Sequence, residues 1–261
     1  MCEVIYVVND DIDDIANDVI IALGEFDSIH LGHQELLKTV KHLSDKHQYK
    51  SAMMAFAMAP DYVLNKRKYE GNLTSIEEKA RVLSMMGIDY LLVFDFESIC
   101  RLSPDEFYDD YLSKFKGVVC GFDYKFGFKG AGDSSYLKDR FEMCEIVDQV
   151  LFYGRKVGSS EIREYLSRGN LSLVNELLGR PYSVSAMVYE VGDDALCELD
   201  MECYFPRSGT YKCEYFINEY ESFVCFSIIE ETVLKLLGVN NVTEGDTVRV
   251  QLLEYIEESG V

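Results

Sequence analysis

The sequence predicts an α/β protein: a parallel sheet with helices on both faces over residues 1–180, then a small β-rich domain over residues 181–261. Three observations predict it. Short apolar runs alternate with amphipathic helical patterns up to about residue 180, as expected of strands buried between helical layers. The string LLGRPYS, Leu177 to Ser183, ends a helix at Gly179 and bars its continuation with Pro181. Beyond it, strand patterns follow one another with little helix between them.

The elements follow in order. Val19 to Leu23 is a short apolar run and reads as a buried strand. Leu36, Leu37, Val40 and Leu43 then fall on one helical face. Ser51 to Met58 is a second strand-like run. Ile76, Ala80 and Leu83 mark a helix capped by Thr74 or Ser75, with glutamates in its first turn. Tyr90 to Phe94 reads as a strand. Ser103-Pro104 opens a helix with cap then proline. Val118 to Cys120 is a strand ending at Gly121, and Glu145 to Leu151 is another. Two short helices, Glu161 to Ser167 and Leu171 to Leu178, stop at Gly169 and Gly179. In the second domain Ser183 to Val191, Thr210 to Ile217 and Phe223 to Ile229 read as strands, with one late helix around Glu231 to Leu237.

Charge narrows the partners. Acidic residues outnumber basic ones by 46 to 25, for a net charge of −21. Such a surface repels phosphate backbones, so nucleic acid and anionic membrane are not expected as partners. The run Asp10, Asp11, Asp13 and Asp14 reads as a solvated loop. The eight cysteines form no CxxC pair, and the four histidines show no ligand spacing with them, so no side chain is assigned as a metal ligand. With no signal peptide and no apolar stretch of bilayer length, a reducing cytoplasm is the expected compartment. Oligomeric state is open.

Gly24 to His33, GEFDSIHLGH, carries the sharpest chemical signal. It links the first strand of this reading to a helix, and His30 and His33 lie three residues apart at the helix start. A helix N-terminus offers free N–H groups and partial positive charge. With two imidazoles beside it, that end suits the phosphates of a nucleotide. Gly32 allows close approach to the backbone. Ser159 and Ser160 open a later helix, with Arg163 one turn on. Hydroxyls, N–H groups and a guanidinium there also suit phosphate. The loop Gly121 to Gly127, GFDYKFG, combines glycines with aromatics that could border a flat ring system.

HxGH after a strand resembles the nucleotidylyltransferase superfamily, whose domain is Rossmann-like. The longer string GEFDSIHLGHQ is similar to one branch, bacterial FAD synthetase, the adenylyltransferase module of bifunctional riboflavin kinase/FAD synthetases. LTSIEEKARVL, which contains Thr74 and Glu77-Glu78-Lys79, resembles the family's stretch before its third strand. GFDYKFG, continued by Gly130, Gly132 and Asp133, resembles its flavin-proximal loop. Val157 to Arg163, VGSSEIR, resembles its ISSTxIR motif, with Gly158 and Glu161 where serine and arginine are usual.

The resemblance implies transfer of AMP from ATP to FMN, giving FAD and pyrophosphate, with Mg2+ on the nucleotide. It implies His30, His33 and Arg163 as catalytic residues. Gly24, Phe26, Asp27, Gly32, His33, Ser159, Ser160 and Arg163 would hold ATP, and Asp123, Phe126 and Asp133 the flavin. The second domain resembles a degenerate flavokinase barrel: it lacks the family's threonine–asparagine pair for Mg-ATP, and kinase activity is not expected. Two other functions stay open: a nucleotidylyltransferase with another phosphate acceptor, and a weakly active flavin- or nucleotide-binding regulatory protein.

Overall fold

The computed structural model describes residues 1–7, 12–64, 68, 70–218, 221–239 and 241–256. Asp10 and Asp11 of the acidic run lie outside them, whereas Asp13 pairs with Lys114 at 2.6 Å. The chain forms two compact units. The first is Met1–Tyr69 with Ile76–Lys156, and the second is Glu70–Ser75 with Val157–Val261.

The first unit runs β1 (Glu3–Val7), α1 (Ile12–Ala16), β2 (Val19–Leu23), α2 (Leu31–His47), β3 (Lys50–Phe56), α3 (Pro60–Val63), α4 (Ile76–Met85) and β4 (Tyr90–Phe94). It continues with α5 (Phe96–Ile99), α6 (Pro104–Asp110), β5 (Gly117–Gly121), β6 (Lys125–Phe126), β7 (Gly132–Asp133), α7 (Ser134–Lys138), β8 (Cys144–Val147), β9 (Leu151–Phe152) and β10 (Arg155–Lys156). Six strands form a parallel sheet in the order β1-β4-β3-β2-β5-β8.

Every residue of β2 is buried because the sheet is covered on both sides. Val19, Ile21 and Leu23 pack into one layer with Ile12, Ile99 and Phe107. Ile20 and Ala22 pack into the other with Leu37, Val40, Val82 and Leu83. The cap expected at Ser103 is formed, and the structure adds a capping box, with Ser103 and Glu106 each accepting the other's backbone N–H. The strand expected over Glu145 to Leu151 is shorter: β8 stops at Val147, and Leu151 belongs to a separate hairpin of β9 and β10. Asp148 and Gln149, between the apolar pairs Ile146-Val147 and Val150-Leu151, mark the break.

The order of the sheet fixes where a ligand sits. The chain reaches β3, β4 and β1 on one side of β2, and β5 and β8 on the other. Loops leaving adjacent strands at such a switch point diverge and open a crevice beyond the strand ends. Those two loops are 24–30, after β2, and 122–124, after β5.

The second unit contains α8 (Ser159–Ser167), α9 (Leu171–Leu178), β11 (Tyr182–Val191), β12 (Ala195–Leu199), β13 (Gly209–Phe216), β14 (Ser222–Glu230), β15 (Val233–Leu236) and β16 (Thr247–Ile256). The six strands close an antiparallel barrel in the order β11-β12-β15-β14-β13-β16. Closure leaves no open sheet edge. The helix expected around Glu231 to Leu237 is instead β15. There Leu234 and Leu236 are buried while Val233 and Lys235 are half-buried, a period of two that belongs to a strand.

Candidate active site

The loop after β2 is built around two strained residues. Phe26 and Ile29 have positive φ, 46° and 47°, although neither is glycine. For a β-branched residue such as Ile29 this conformation is costly and needs outside support. Both side chains are fully buried, and the Nε2 of Gln34 donates to the carbonyl of Ile29 at 3.1 Å. Gln34, the residue after HxGH, thus holds the turn that presents His30.

His30 caps α2. Its Nδ1 accepts the backbone N–H of His33 at 3.2 Å, and its ring stacks on that of His33 with centroids 3.7 Å apart and planes within 13°. The glycines serve this stack directly. A Cβ on Gly32 would lie 3.1 Å from the His30 ring, and one on Gly24 would lie 2.8 Å from the ring of Phe26. Phe26 in turn lies 4.8 Å from His33. Asp27 is buried in the same loop.

His33 is held neutral. Burial lowers its pKa well below the ordinary 6.5, and the charges of His30, Lys79 and Lys156 push the same way. Its Nδ1 is sealed from solvent and has no hydrogen-bond partner among the described residues. With His33 neutral, the stacked rings at a helix N-terminus form a cradle for anionic oxygen, since ring and backbone N–H groups can donate there.

On the β5 side, the carboxylate of Asp123 accepts from the Nζ of Lys156, which also lies 5.8 Å from the centroid of the exposed Phe122 ring. Phe126 is buried, with its ring stacked on Tyr124 and edge-on to Tyr136. Gly132 has no Cβ because one would lie 2.7 Å from the Phe126 ring. Asp133 caps α7, accepting the N–H of Tyr136 at 3.1 Å, and pairs with Lys125 at 3.2 Å. Those two contacts hold its carboxyl below the usual range, the capping bond more than the ion pair. Of the three candidate flavin residues, Phe126 and Asp133 thus have structural partners inside the loop, and Asp123 stands beside Lys156. Lys156 was not anticipated, because its two-residue strand β10 is exposed and carries no apolar pattern.

In the second unit, Gly158 caps α8 without a side-chain bond, and Ser159 and Ser160 form its first turn with Glu161. Arg163 is buried, and its NH1 donates to the carbonyl of Gly71 at 3.0 Å. Its guanidinium carbon lies 5.0 Å over the Tyr204 ring. Segment 70–75 lies beside 202–204, with Asn72 donating to the Glu202 carbonyl and accepting from the Tyr204 N–H, both at 2.8 Å. Gly71, at φ +88°, leaves no room for a Cβ, which would fall 2.2 Å from the Cys203 carbonyl carbon.

The chain is similar to several known proteins. The family model described as FAD synthetase matches residues 12–161. A bifunctional riboflavin kinase/FMN adenylyltransferase of Listeria monocytogenes is 34% identical over 216 residues, 76% of this chain and 68% of its own. A second Listeria protein, named FAD synthetase, is 26% identical over 247 residues, 92% of this chain and 89% of its own. A crystal structure from Streptococcus pneumoniae described as a macrolide-efflux protein matches with TM-score 0.87 at 26% identity, covering 99% of this chain and 92% of that one. Among the described residues no helix is long and apolar enough to cross a membrane. A match of the family model to residues 12–161 covers more than half of the chain, which therefore belongs to the FAD synthetase family of nucleotidyltransferase enzymes.

Proposed function

We propose that the chain is an FMN adenylyltransferase: it joins the AMP of ATP to FMN, giving FAD and pyrophosphate. The observation that carries this reading is the stack of His30 on a neutral His33 at the N-terminus of α2, beside the switch point of a parallel sheet.

The phosphate of FMN is itself the nucleophile, so no side chain need become one. An oxygen of that phosphate attacks the α-phosphorus of ATP, and the bond to the β-phosphate oxygen breaks. The protein aligns the two and meets charge on the departing pyrophosphate. His30 and His33 are assigned to phosphate oxygens nearest the reacting phosphorus, with Gly24, Phe26, Asp27 and Gly32 shaping their loop. Ser159, Ser160 and Arg163 are assigned to the outer phosphates. The grip of Gly71 and Tyr204 on Arg163 would hold its guanidinium in one orientation. Asp123, Phe126 and Asp133 are assigned to the flavin side, with Asp123 best placed for direct contact because its carboxylate is exposed.

Mg2+ takes hard oxygen ligands, and the buried carboxylate of Asp27 fits that requirement beside the oxygens of the nucleotide itself. When bound, Mg2+ screens the charge of the pyrophosphate.

The barrel is read as a support without riboflavin kinase activity, and the domain division is placed near residue 180. The test is to incubate the full chain with ATP, Mg2+ and a panel of phosphate acceptors, following pyrophosphate and FAD. FAD formed from FMN in excess over enzyme supports the reading. Pyrophosphate released only with another acceptor replaces it.

A further inference from the structure

The barrel carries a chemical feature that adenylyl transfer does not use. β13 and β14 run antiparallel, and Cys213 stands directly opposite Cys225. Both side chains belong to the inner face. Burial along β13 takes Tyr211, Cys213 and Tyr215, and Cys225 shares the parity of the buried Ser227 and Ile229 on β14. The two sulfurs lie 3.5 Å apart, close enough for one thiol to donate to the other. Cys213 is buried and Cys225 half-buried, so a small molecule reaches the pair from the Cys225 side.

Filling a barrel as small apolar side chains is the ordinary use of cysteine. The pairing sets these two apart. Residues directly opposite in an antiparallel pair have Cα atoms about 4.5–5.5 Å apart, inside the span of about 4.4–6.8 Å that a disulfide bridges. Their Cβ atoms, also about 4.5–5.5 Å apart, are slightly farther than the roughly 3.5–4.5 Å of a relaxed disulfide. Closing the bond therefore needs only a small inward shift, and the strain left in it makes the bond easy to reduce. β13 has slack for that shift, because its register with β16 slips between Lys212 and Cys213.

Ionisation agrees with the geometry. The S–H of Cys225 holds the Cys213 thiol below its ordinary range, against burial, which raises it. Cys197, in the same interior on β12, is instead pushed up to about 12 by burial. The thiolate is the attacking form of cysteine, so the facing pair is more reactive than Cys197.

We propose that Cys213 and Cys225 form a reversible redox site, at which a hydroperoxide oxidises the two facing thiols to a disulfide that ties β13 to β14. A thiolate sulfur attacks one peroxide oxygen, the O–O bond breaks, and a sulfenic acid and water result. The second sulfur then attacks the first; the S–S bond forms, the S–O bond breaks, and the hydroxyl leaves with a proton as water. For hydrogen peroxide, two thiols lose two protons and two electrons, and the oxidant becomes two waters. A small dithiol reverses the step by exchange and is itself oxidised to a disulfide. The site is independent of the adenylyltransferase reading.

The experiment treats the full reduced chain with graded hydrogen peroxide, blocks remaining thiols by alkylation, and reads intact mass, the linked peptides after proteolysis, and thermal melting. The expected product has lost two hydrogens, has Cys213 joined to Cys225 as its first disulfide, and returns to the reduced mass with dithiothreitol. Its barrel is expected to melt about 5 °C or more above the reduced form, because the link constrains the unfolded chain. Cys225→Ser should abolish the link and that rise in melting. Mapping in the wild type decides the matter even where the variant does not fold. Among the eight cysteines, a first disulfide that joins any other pair overturns the proposal. So does recovery of Cys213 and Cys225 as alkylated thiols, or as over-oxidised acids without a link, after peroxide has consumed other cysteines.

Discussion

His30 caps the helix that carries His33 and stacks on His33 at 3.7 Å, so each ring fixes the other. One imidazole therefore cannot be removed without changing the setting of its neighbour. Replacing His33 with alanine is expected to cut FAD formation by about a hundredfold or more, the scale of losing one preorganised donor. Steady-state turnover of folded His33→Ala tests this, and near-normal turnover would take His33 out of the mechanism.

The depressed pKa of His33 has a stability consequence with a definite sign. The folded state keeps the ring neutral below 6.5, where the unfolded chain takes up a proton. Its contribution is therefore full above that value and is lost as pH falls through it, by at most about 1.4 kcal/mol per pH unit for one group. Thermal melts of wild type and His33→Gln between pH 7.5 and 5.5 should diverge, with wild type falling more steeply. Parallel slopes would mean that His33 gains its proton in the folded state as readily as in the unfolded one.

Glu161 lies in the first turn of α8 beside Ser159 and Ser160. Changing it to arginine is expected to tighten Mg-ATP binding if that helix start holds phosphate. The same change should lower stability by roughly 0.3–1 kcal/mol, because an acid near a helix N-terminus is favourable. Calorimetric titration with a parallel melt separates the two effects. Unchanged or weaker affinity would mean that Glu161 points away from the nucleotide.

The chain is expected not to phosphorylate riboflavin. Asp194 is committed to structure: it pairs with Lys235 at 2.8 Å and accepts the N–H of Gly238 at 2.8 Å. Lys235 is the larger cause of its lowered pKa. Riboflavin, ATP and Mg2+ are supplied, and FMN and FAD are sought by chromatography. Product in excess over enzyme would show a kinase site built from other residues.

Much of this was legible in the chain. Val19 to Leu23 and Tyr90 to Phe94 stand as strands with the bounds their apolar runs suggested, because burial on both faces leaves an uninterrupted pattern. Strand β1, Glu3 to Val7, was missed because most of it is exposed or half-buried and its pattern is mixed. The β15 segment was misread because three apolar residues interrupted by Lys235 suit either period until their neighbours are known. In the candidate site, the HxGH string located the histidines, but local spacing could not reveal what holds them. The roles of Gln34 under Ile29 and of Gly32 beneath the His30 ring depend on a backbone turn with positive φ, which leaves little trace in residue spacing.

Residues 70–75 are inserted in the chain order of one unit yet pack with the other. No single scission therefore releases both pieces whole. A fragment beginning at Val157 would lack the Gly71 carbonyl that Arg163 grips and the Asn72 backbone beside Glu202 and Tyr204. Exchange of the barrel between relatives, by recombination or by design, must carry this short passage as well. A graft made at one junction alone would pair the barrel with a foreign stretch where Gly71 leaves no space for a side chain.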